Sequence, residues 1–264
     1  MSDIKDVNPI QVIPSHCLSI SIFRTIGVIG DSLSSGEHES FSKEEGKHFH
    51  DYYEYSWGQF IARRCGSTVY NFSKGGLQCK TFFEYIKNNN PFTEEKRCQA
   101  YIIALGVNDM THINETYDGF GSFADVDWEN EDNNKNTFIG WYVKIIQKLR
   151  KLSPKCRIFV MDMPRGVLQD ESTAKKYDDV RDFLIALVDK FEFMYLLDLR
   201  KYAPEYDREF MKKYYCGTHM SALGYKFTAD MVMSYISYII DNNPQDFTQV
   251  GFIDKDVHNE LEKW

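Results

Sequence analysis

Short apolar runs recur along the chain, and each is followed by a segment whose apolar residues have helical spacing. Five runs have the length of buried strands, and they cover residues 25–30, 67–72, 100–105, 157–163 and 194–199. The intervening segments repeat apolar residues every three or four positions, which predicts helices with one buried face. Strands that alternate with such helices predict an α/β fold with a five-stranded parallel sheet covered on both faces.

The sequence also indicates a face or an end for individual helices. After the fourth strand, Ser172 or Thr173 can accept a hydrogen bond from the first turn of a helix and so cap it. A final helix is predicted from about residue 221 to residue 240. After the third strand, one helical face carries Phe138, Tyr142, Ile145, Ile146 and Leu149.

The length and composition of the chain limit the number of domains it can form. A chain of 264 residues, 43% of them hydrophobic, is long enough for one large α/β domain and short for two. We therefore expect a single domain over residues 1–264 with its core at about 22–241. An N-terminal arm (1–21) and a C-terminal tail (242–264) flank this core.

Charge, cysteine content and the N-terminal sequence narrow the class of partner. The net charge of −8 disfavours a nucleic-acid-binding surface. The six cysteines lack CxxC spacing, which indicates reduced thiols, and we identify neither a signal peptide nor a transmembrane run. A cytoplasmic protein without membrane contact is expected. His48 and His50 lack a third ligand nearby, so no metal or other cofactor is predicted.

Two connections are longer than such loops usually are. Residues 34–56 follow the first strand and residues 110–136 follow the third. Both leave the carboxyl ends of strands, which is the edge at which open α/β sheets bind ligands. We therefore expect both connections to contribute to function.

Polar groups that could act together follow four of the predicted strands. Gly30, Asp31 and Ser32 form a turn that can present a hydroxyl and a backbone N–H to the same side. Residues 71–76 (NFSKGG) offer exposed backbone, Asn108 offers a carboxamide, and His219 follows the fifth strand. Together these groups amount to a nucleophile, an oxyanion hole and a base.

These four blocks resemble the signature of the SGNH (GDSL-type) hydrolases. The matching residues are Ser32 in GDSL, Gly76 (or alternatively Gly75) in NFSKGG, Asn108 in GVND and His219 in GTHMSALGY. The resemblance spans residues 26–240 and implies a flavodoxin-like three-layer α/β/α sandwich. It also implies ester hydrolysis by Ser32, with the N–H groups of Ser32 and Gly76 and the side chain of Asn108 holding the oxyanion.

The chain departs from the family pattern at one position. The family usually has Asp three residues before the His, and Cys216 stands there in this sequence. Another group must then accept from the far ring N–H of His219. The candidates are the Cys216 thiolate, a carboxylate such as Glu205 or Asp207, and a backbone carbonyl of the 214–218 turn, which ranks first because it needs no special residue.

The expected function is removal of a small acyl group, such as acetyl, from a neutral ester, and a carbohydrate is a candidate for the alcohol. The two long connections carry thirteen Asp or Glu against three Lys, and a field of this sign repels anionic substrates. Arg165 and Trp128 are candidate substrate contacts. Because the usual Asp is absent, the alternative is a family member that binds a ligand without hydrolysing it.

Overall fold

A single five-stranded parallel sheet lies at the centre of the fold. The computed structural model describes residues 18–88, 92–167 and 169–255. The sheet contains β1 (Thr25–Gly30), β4 (Thr68–Asn71), β5 (Ala100–Ala104), β6 (Arg157–Met161) and β7 (Met194–Leu197). Their order across the sheet is β4-β1-β5-β6-β7, and every pairing is parallel. The predicted sheet is confirmed.

Helices cover both faces of this sheet and lie at its carboxyl edge. The long helices are α2 (Trp57–Cys65), α3 (Cys79–Asn88), α6 (Phe138–Leu152), α7 (Glu171–Val188) and α10 (Ala222–Asn242). Short helices are α1 (Ser32–Ser35), α4 (Val107–Thr111), α5 (Ile113–Thr116), α8 (Leu199–Tyr202) and α9 (Arg208–Tyr214). Single 3-10 turns occur at Ser19–Ile22, Tyr53–Tyr55, Glu94–Lys96, Phe123–Asp125, Glu131–Asn133, Pro244–Phe247 and Val250–Phe252.

Alternating side chains of the strands form two cores. Ile29 and Ile103 face the layer of α3, α6 and α7, whereas their neighbours Val28 and Ile102 face α2 and α10. All five predicted apolar residues of α6 are buried. The result is the expected three-layer α/β/α sandwich. In the described part of the chain, no helix is both long enough and apolar enough to span a bilayer.

Segments near both ends of the described chain pack on the core between the sheet and α10. Ile20 is buried and its backbone N–H donates to Ser237 Oγ in α10. Phe247, Val250 and Ile253 are buried on the same side. The remainder of the predicted arm and tail, residues 1–17 and 256–264, lies outside the described residues. One domain for the entire chain stays a prediction.

Two local predictions differ from the structure. The α7 helix is capped by Asp170 and not by Ser172 or Thr173, because Asp170 Oδ1 accepts from Thr173 N at 2.7 Å. Ser172 and Thr173 therefore lie in the first turn. The connection from 34 to 56 is not an open loop: β2 (Glu37–Ser42) and β3 (Gly46–Asp51) pair as an antiparallel hairpin.

A second antiparallel pair, with two residues in each strand, lies directly before α10. It consists of β8 (Tyr215–Cys216) and β9 (His219–Met220).

Candidate active site

Ser32 begins α1 directly beyond the end of β1. Asp31 caps this helix, since its Oδ1 accepts from Leu33 N at 3.0 Å. Gly30 leaves room for the turn, because a Cβ there would collide with the Ser34 side chain. The sequence Gly-Asp-Ser thus places Ser32 at the carboxyl edge of the sheet with its side chain half-buried.

Asn108 connects the loops that follow β1, β4 and β5. Its Nδ2 lies 3.4 Å from Asp31 Oδ2 and 3.3 Å from Leu77 O, both longer than a strong hydrogen bond. Gly76, one residue before Leu77, has a φ of +76°, which favours glycine. The three predicted oxyanion donors therefore belong to neighbouring loops, and the long contacts leave the Asn108 amide available to a stronger acceptor.

Asp31 is one of several buried ionisable groups at this edge. Its side chain is 2% exposed, and burial together with the nearby carboxylates of Asp109 and Glu37 raises its pKa to about 7. Hydrogen bonds from backbone N–H groups only partly offset this increase. The carboxyl groups at this edge are therefore close enough to one another to disfavour their charged forms.

His219 lies in β9, beside the β2–β3 hairpin. Its Nε2 is 3.1 Å from Glu37 Oε1, and its side chain is 15% exposed. The ring of Phe49 meets the imidazole edge-on, with centroids 5.3 Å apart. Glu37 also touches the loop of the oxyanion donors, because a Cβ on Gly75 would collide with Glu37 Oε2.

Tyr225 of α10 connects the Ser32 turn to the hairpin. Its hydroxyl donates to Glu37 O at 2.5 Å and lies 3.5 Å from Ser32 O. In the part of the chain that the structure describes, no hydrogen bond joins Ser32 Oγ to His219. The carboxylate of Glu37 instead holds Nε2, the ring nitrogen on the side of the oxyanion donors.

The other ring nitrogen of His219, Nδ1, faces Glu39, which lies in β2 together with Glu37. Nδ1 lies 3.3 Å from Thr218 Oγ1 and 3.8 Å from Glu39 Oε2. Thr218 donates to Glu39 Oε2 from both its backbone N–H (2.8 Å) and its hydroxyl (2.6 Å). Lys47 contacts the second oxygen of Glu39 at 3.0 Å.

None of the three acceptors expected from the sequence contacts this ring within the described residues. The Cys216 thiol donates to the Glu39 carbonyl oxygen at 3.4 Å. Asp207 caps α9 through Phe210 N, and Glu205 is exposed. Glu37 and Glu39 were not among the residues predicted from the sequence, although their spacing of two in an extended segment would place both on one face.

The shifts in the pKa of Glu39, His219 and Glu37 follow from their burial and their hydrogen-bond partners. Partial burial alone would raise the pKa of Glu39, but the hydrogen bonds from Thr218 and Lys47 outweigh it and lower the pKa to about 2. Burial lowers the pKa of His219, and Glu39 opposes that effect. Burial, and then Asp51, raise the pKa of Glu37. Glu39 is therefore charged at neutral pH.

The two candidate substrate contacts differ in position. Arg165 follows β6 at the carboxyl edge, where it is exposed and donates to Arg200 O at 3.2 Å. Trp128 packs against Phe123 and Phe191, and Phe191 lies where the chain enters β7 at the amino edge. That edge is opposite Ser32 and His219, so a substrate contact at Trp128 is not supported.

Comparisons with known proteins agree with the fold and with the sequence motifs. The model of the GDSL-like Lipase/Acylhydrolase family matches residues 28–227, so the chain belongs to this family. A comparison with curated proteins gave no match.

Solved structures with a similar fold include several esterases. A family two carbohydrate esterase from Clostridium thermocellum, in complex with cellohexaose, has a TM-score of 0.55 at 16% identity, over 84% of this chain and 65% of that one. A carbohydrate esterase family 2 enzyme with a carbohydrate binding domain, from Corynascus thermopiles (Myceliophthora fergusii), has a TM-score of 0.56 at 15% identity, over 83% and 67%. The lipase Lip_vut3 from a goat rumen metagenome has a TM-score of 0.53 at 16% identity, over 80% and 96%. At these low sequence identities, the similarity shows a shared fold and nothing more.

Replacing Asp31 with Asn should make the stability of the protein less dependent on pH. A carboxyl whose pKa is raised on folding stabilises the folded state below its unfolded pKa, and this contribution is lost as pH rises towards the folded value. From pH 4 to pH 8 we expect wild type to lose up to about 4 kcal/mol relative to Asp31→Asn. Urea unfolding at several pH values measures the difference. Asp189→Asn, at an exposed position, is the control. Parallel curves for wild type and Asp31→Asn would contradict the burial argument.

Proposed function

We propose that the protein is a serine ester hydrolase in which Ser32 is the nucleophile and His219 the general base. The observation that carries this proposal is the arrangement at the carboxyl edge, where Ser32, Asn108 and His219 follow three strands of one sheet. Membership of the GDSL-like lipase/acylhydrolase family supports the reaction class.

The proposed reaction has two displacements at one carbonyl carbon. Ser32 Oγ attacks the ester carbonyl while His219 Nε2 takes the hydroxyl proton, and the imidazolium then protonates the departing alcohol. The backbone N–H groups of Ser32 and Gly76 and the Asn108 carboxamide stabilise the oxyanion. A water activated by His219 then releases the acid. Glu37 must turn away from Nε2 before the first step, because its carboxylate occupies the position that the Ser32 hydroxyl needs.

A neutral ester of a small acyl group, carried by a carbohydrate, is the proposed substrate. The carboxyl groups of Asp31 and Glu37 lie at the site, and the hairpin with its flanking loops adds net negative charge. Such a field favours a neutral over an anionic substrate. Phe49 is 50% exposed beside His219 and offers an apolar ring face to a sugar. The fold is shared with family two carbohydrate esterases.

A second candidate function is ligand binding without hydrolysis. The contact between Glu37 Oε1 and His219 Nε2, at 3.1 Å, favours it, because a base that is already occupied cannot take a proton from Ser32. Retention of Ser32, Asn108 and His219 together favours the hydrolase. Turnover of an activated ester that depends on Ser32 separates the two functions.

Ser32→Ala should abolish covalent labelling by a fluorophosphonate probe and reduce ester turnover by about 10⁴-fold or more, because the nucleophile is lost. Asn108→Ala should retain labelling and lower kcat by about 10²–10³-fold, as loss of one oxyanion donor does. Intact-mass spectrometry and p-nitrophenyl acetate hydrolysis provide the measurements. Ser40→Ala, which removes an exposed hairpin hydroxyl, controls for labelling elsewhere. Wild-type turnover in Ser32→Ala would exclude Ser32 as the nucleophile.

Substrate charge should affect the specificity constant strongly at low ionic strength. We expect a higher kcat/KM for a neutral acetyl ester than for acetyl-CoA, because the net negative charge of the hairpin and its flanking loops repels the phosphates. Added salt should narrow the gap by screening this repulsion. Steady-state kinetics at about 10 mM and 300 mM salt test this expectation. A preference for acetyl-CoA at low salt would contradict it.

A further inference from the structure

We propose that Glu39, supplied by the β2–β3 hairpin, is the positioning residue that replaces the Asp missing at position 216. It orients His219 through the Thr218 hydroxyl and stabilises the imidazolium that forms during catalysis. This inference rests on the proposed hydrolase function and adds the group that fixes the base.

The two nitrogens of the His219 ring face different surroundings. Glu37 and Glu39 are two residues apart in β2, so their side chains project from the same face of the hairpin. Glu37 contacts Nε2 and also reaches Gly75, beside the proposed oxyanion donors. Nε2 therefore faces the reaction, and Nδ1, with Glu39 behind it, faces away.

The hydrogen bonds of the Thr218 hydroxyl determine the tautomer of the His219 ring. Thr218 Oγ1 donates its proton to Glu39 Oε2 at 2.6 Å, so its lone pairs remain free to accept. Nδ1–H of His219 can then donate to Thr218 Oγ1, which lies 3.3 Å away. This chain of hydrogen bonds places the proton on Nδ1, and Nε2 becomes the bare nitrogen that a general base requires once Glu37 has turned away from it.

Glu39 also brings a negative charge close to the ring. Glu39 Oε2 lies 3.8 Å from Nδ1, and the carboxylate side chain is only 9% exposed. A negative charge at this distance stabilises the imidazolium that forms when Nε2 takes the Ser32 proton. A backbone carbonyl could fix the same tautomer, but it has no net charge and would stabilise the imidazolium less.

The 216–218 turn is shaped to admit this carboxylate. Gly217 has a φ of +77°, and a Cβ there would collide with the carboxyl group of Glu39. The Cys216 thiol donates to the backbone oxygen of Glu39 at 3.4 Å, so the residue at the usual Asp position anchors the hairpin. Lys47 of β3 completes the contacts of the carboxylate. The hairpin therefore supplies the acid from outside the turn.

The test compares Glu39→Gln with wild type by NMR titration and by steady-state kinetics. NMR titration of the His219 ring should give a lower pKa in Glu39→Gln, because the charge that favours the imidazolium is gone; Glu37, Lys47 and His38, the other charged or titratable groups around the ring, are unchanged. The kcat for p-nitrophenyl acetate should fall by about 10²-fold, less than the ~10⁴-fold loss when a triad Asp is replaced and the tautomer is lost. The acidic limb of the kcat/KM profile should move to lower pH with the ring pKa.

Three further variants separate positioning from structural support. Glu39→Asp keeps the charge and should largely preserve the His219 pKa. Thr218→Val removes the hydroxyl of the hydrogen-bond chain and should also lower kcat. Glu45→Gln makes the same chemical change as Glu39→Gln at an exposed place in the hairpin turn, and it should alter neither readout.

The outcomes distinguish this inference from the proposed function. An unchanged His219 pKa in Glu39→Gln would overturn the inference, and so would a lowered pKa with wild-type kcat, even if Ser32-dependent turnover were present. Absence of any Ser32-dependent turnover in wild type would overturn the proposed function and the catalytic role of Glu39 with it. The NMR titration would then still show whether Glu39 controls the ionisation of His219.

Discussion

A parallel sheet brings the carboxyl end of every strand to one edge, and the arrangement of the candidate site depends on this constraint. Parallel neighbours need a crossover connection, so each strand end at this edge opens into a loop that leads to a helix. Ser32 and Asn108 follow the adjacent strands β1 and β5, and the loop with Gly76 follows β4 on the other side of β1. Residues distant in sequence thereby become neighbours without any insertion into the core.

The β2–β3 hairpin adds a second source of functional groups to this edge. It projects from the loop after β1 and presents Glu37 and Glu39 to the two nitrogens of His219. The two carboxylates have different environments. Thr218 and Lys47 stabilise the charge of Glu39, whereas burial and Asp51 disfavour the charge of Glu37. This difference fits a fixed partner behind the ring and a neutralisable one in front of it.

Much of the fold and the identity of the main candidate residues could be predicted from the sequence. The strands are apolar runs, and Ser32, Asn108 and His219 each stand in a short motif after one of them. Glu39 could not be identified in this way, because its partner Thr218 is 179 residues away and the contact exists only once the hairpin folds over the β8–β9 turn. The carboxylates that lie near His219 in the sequence, Glu205 and Asp207, do not contact its ring in the structure.

The position of Trp128 at the amino edge could not be predicted from the sequence for a similar reason. The loop after β5 starts at the carboxyl edge, but its acidic part runs back along α6, where Glu131 is buried between Lys148 and Lys151 near the C-terminal end of the helix. These ion pairs, and the packing of Trp128 on Phe191, draw the loop to the amino edge. Loop length and composition alone did not indicate this direction.

The central claim is that Glu39 acts through His219, and a double-mutant cycle tests it most directly. If Glu39 only positions and charges the imidazole, Glu39→Gln has nothing left to act on once the ring is removed. The account predicts that Glu39→Gln lowers the kcat of wild type by about 10²-fold but changes that of His219→Ala by less than about 2-fold. An equal loss in both backgrounds would contradict it, because Glu39 would then act independently of His219.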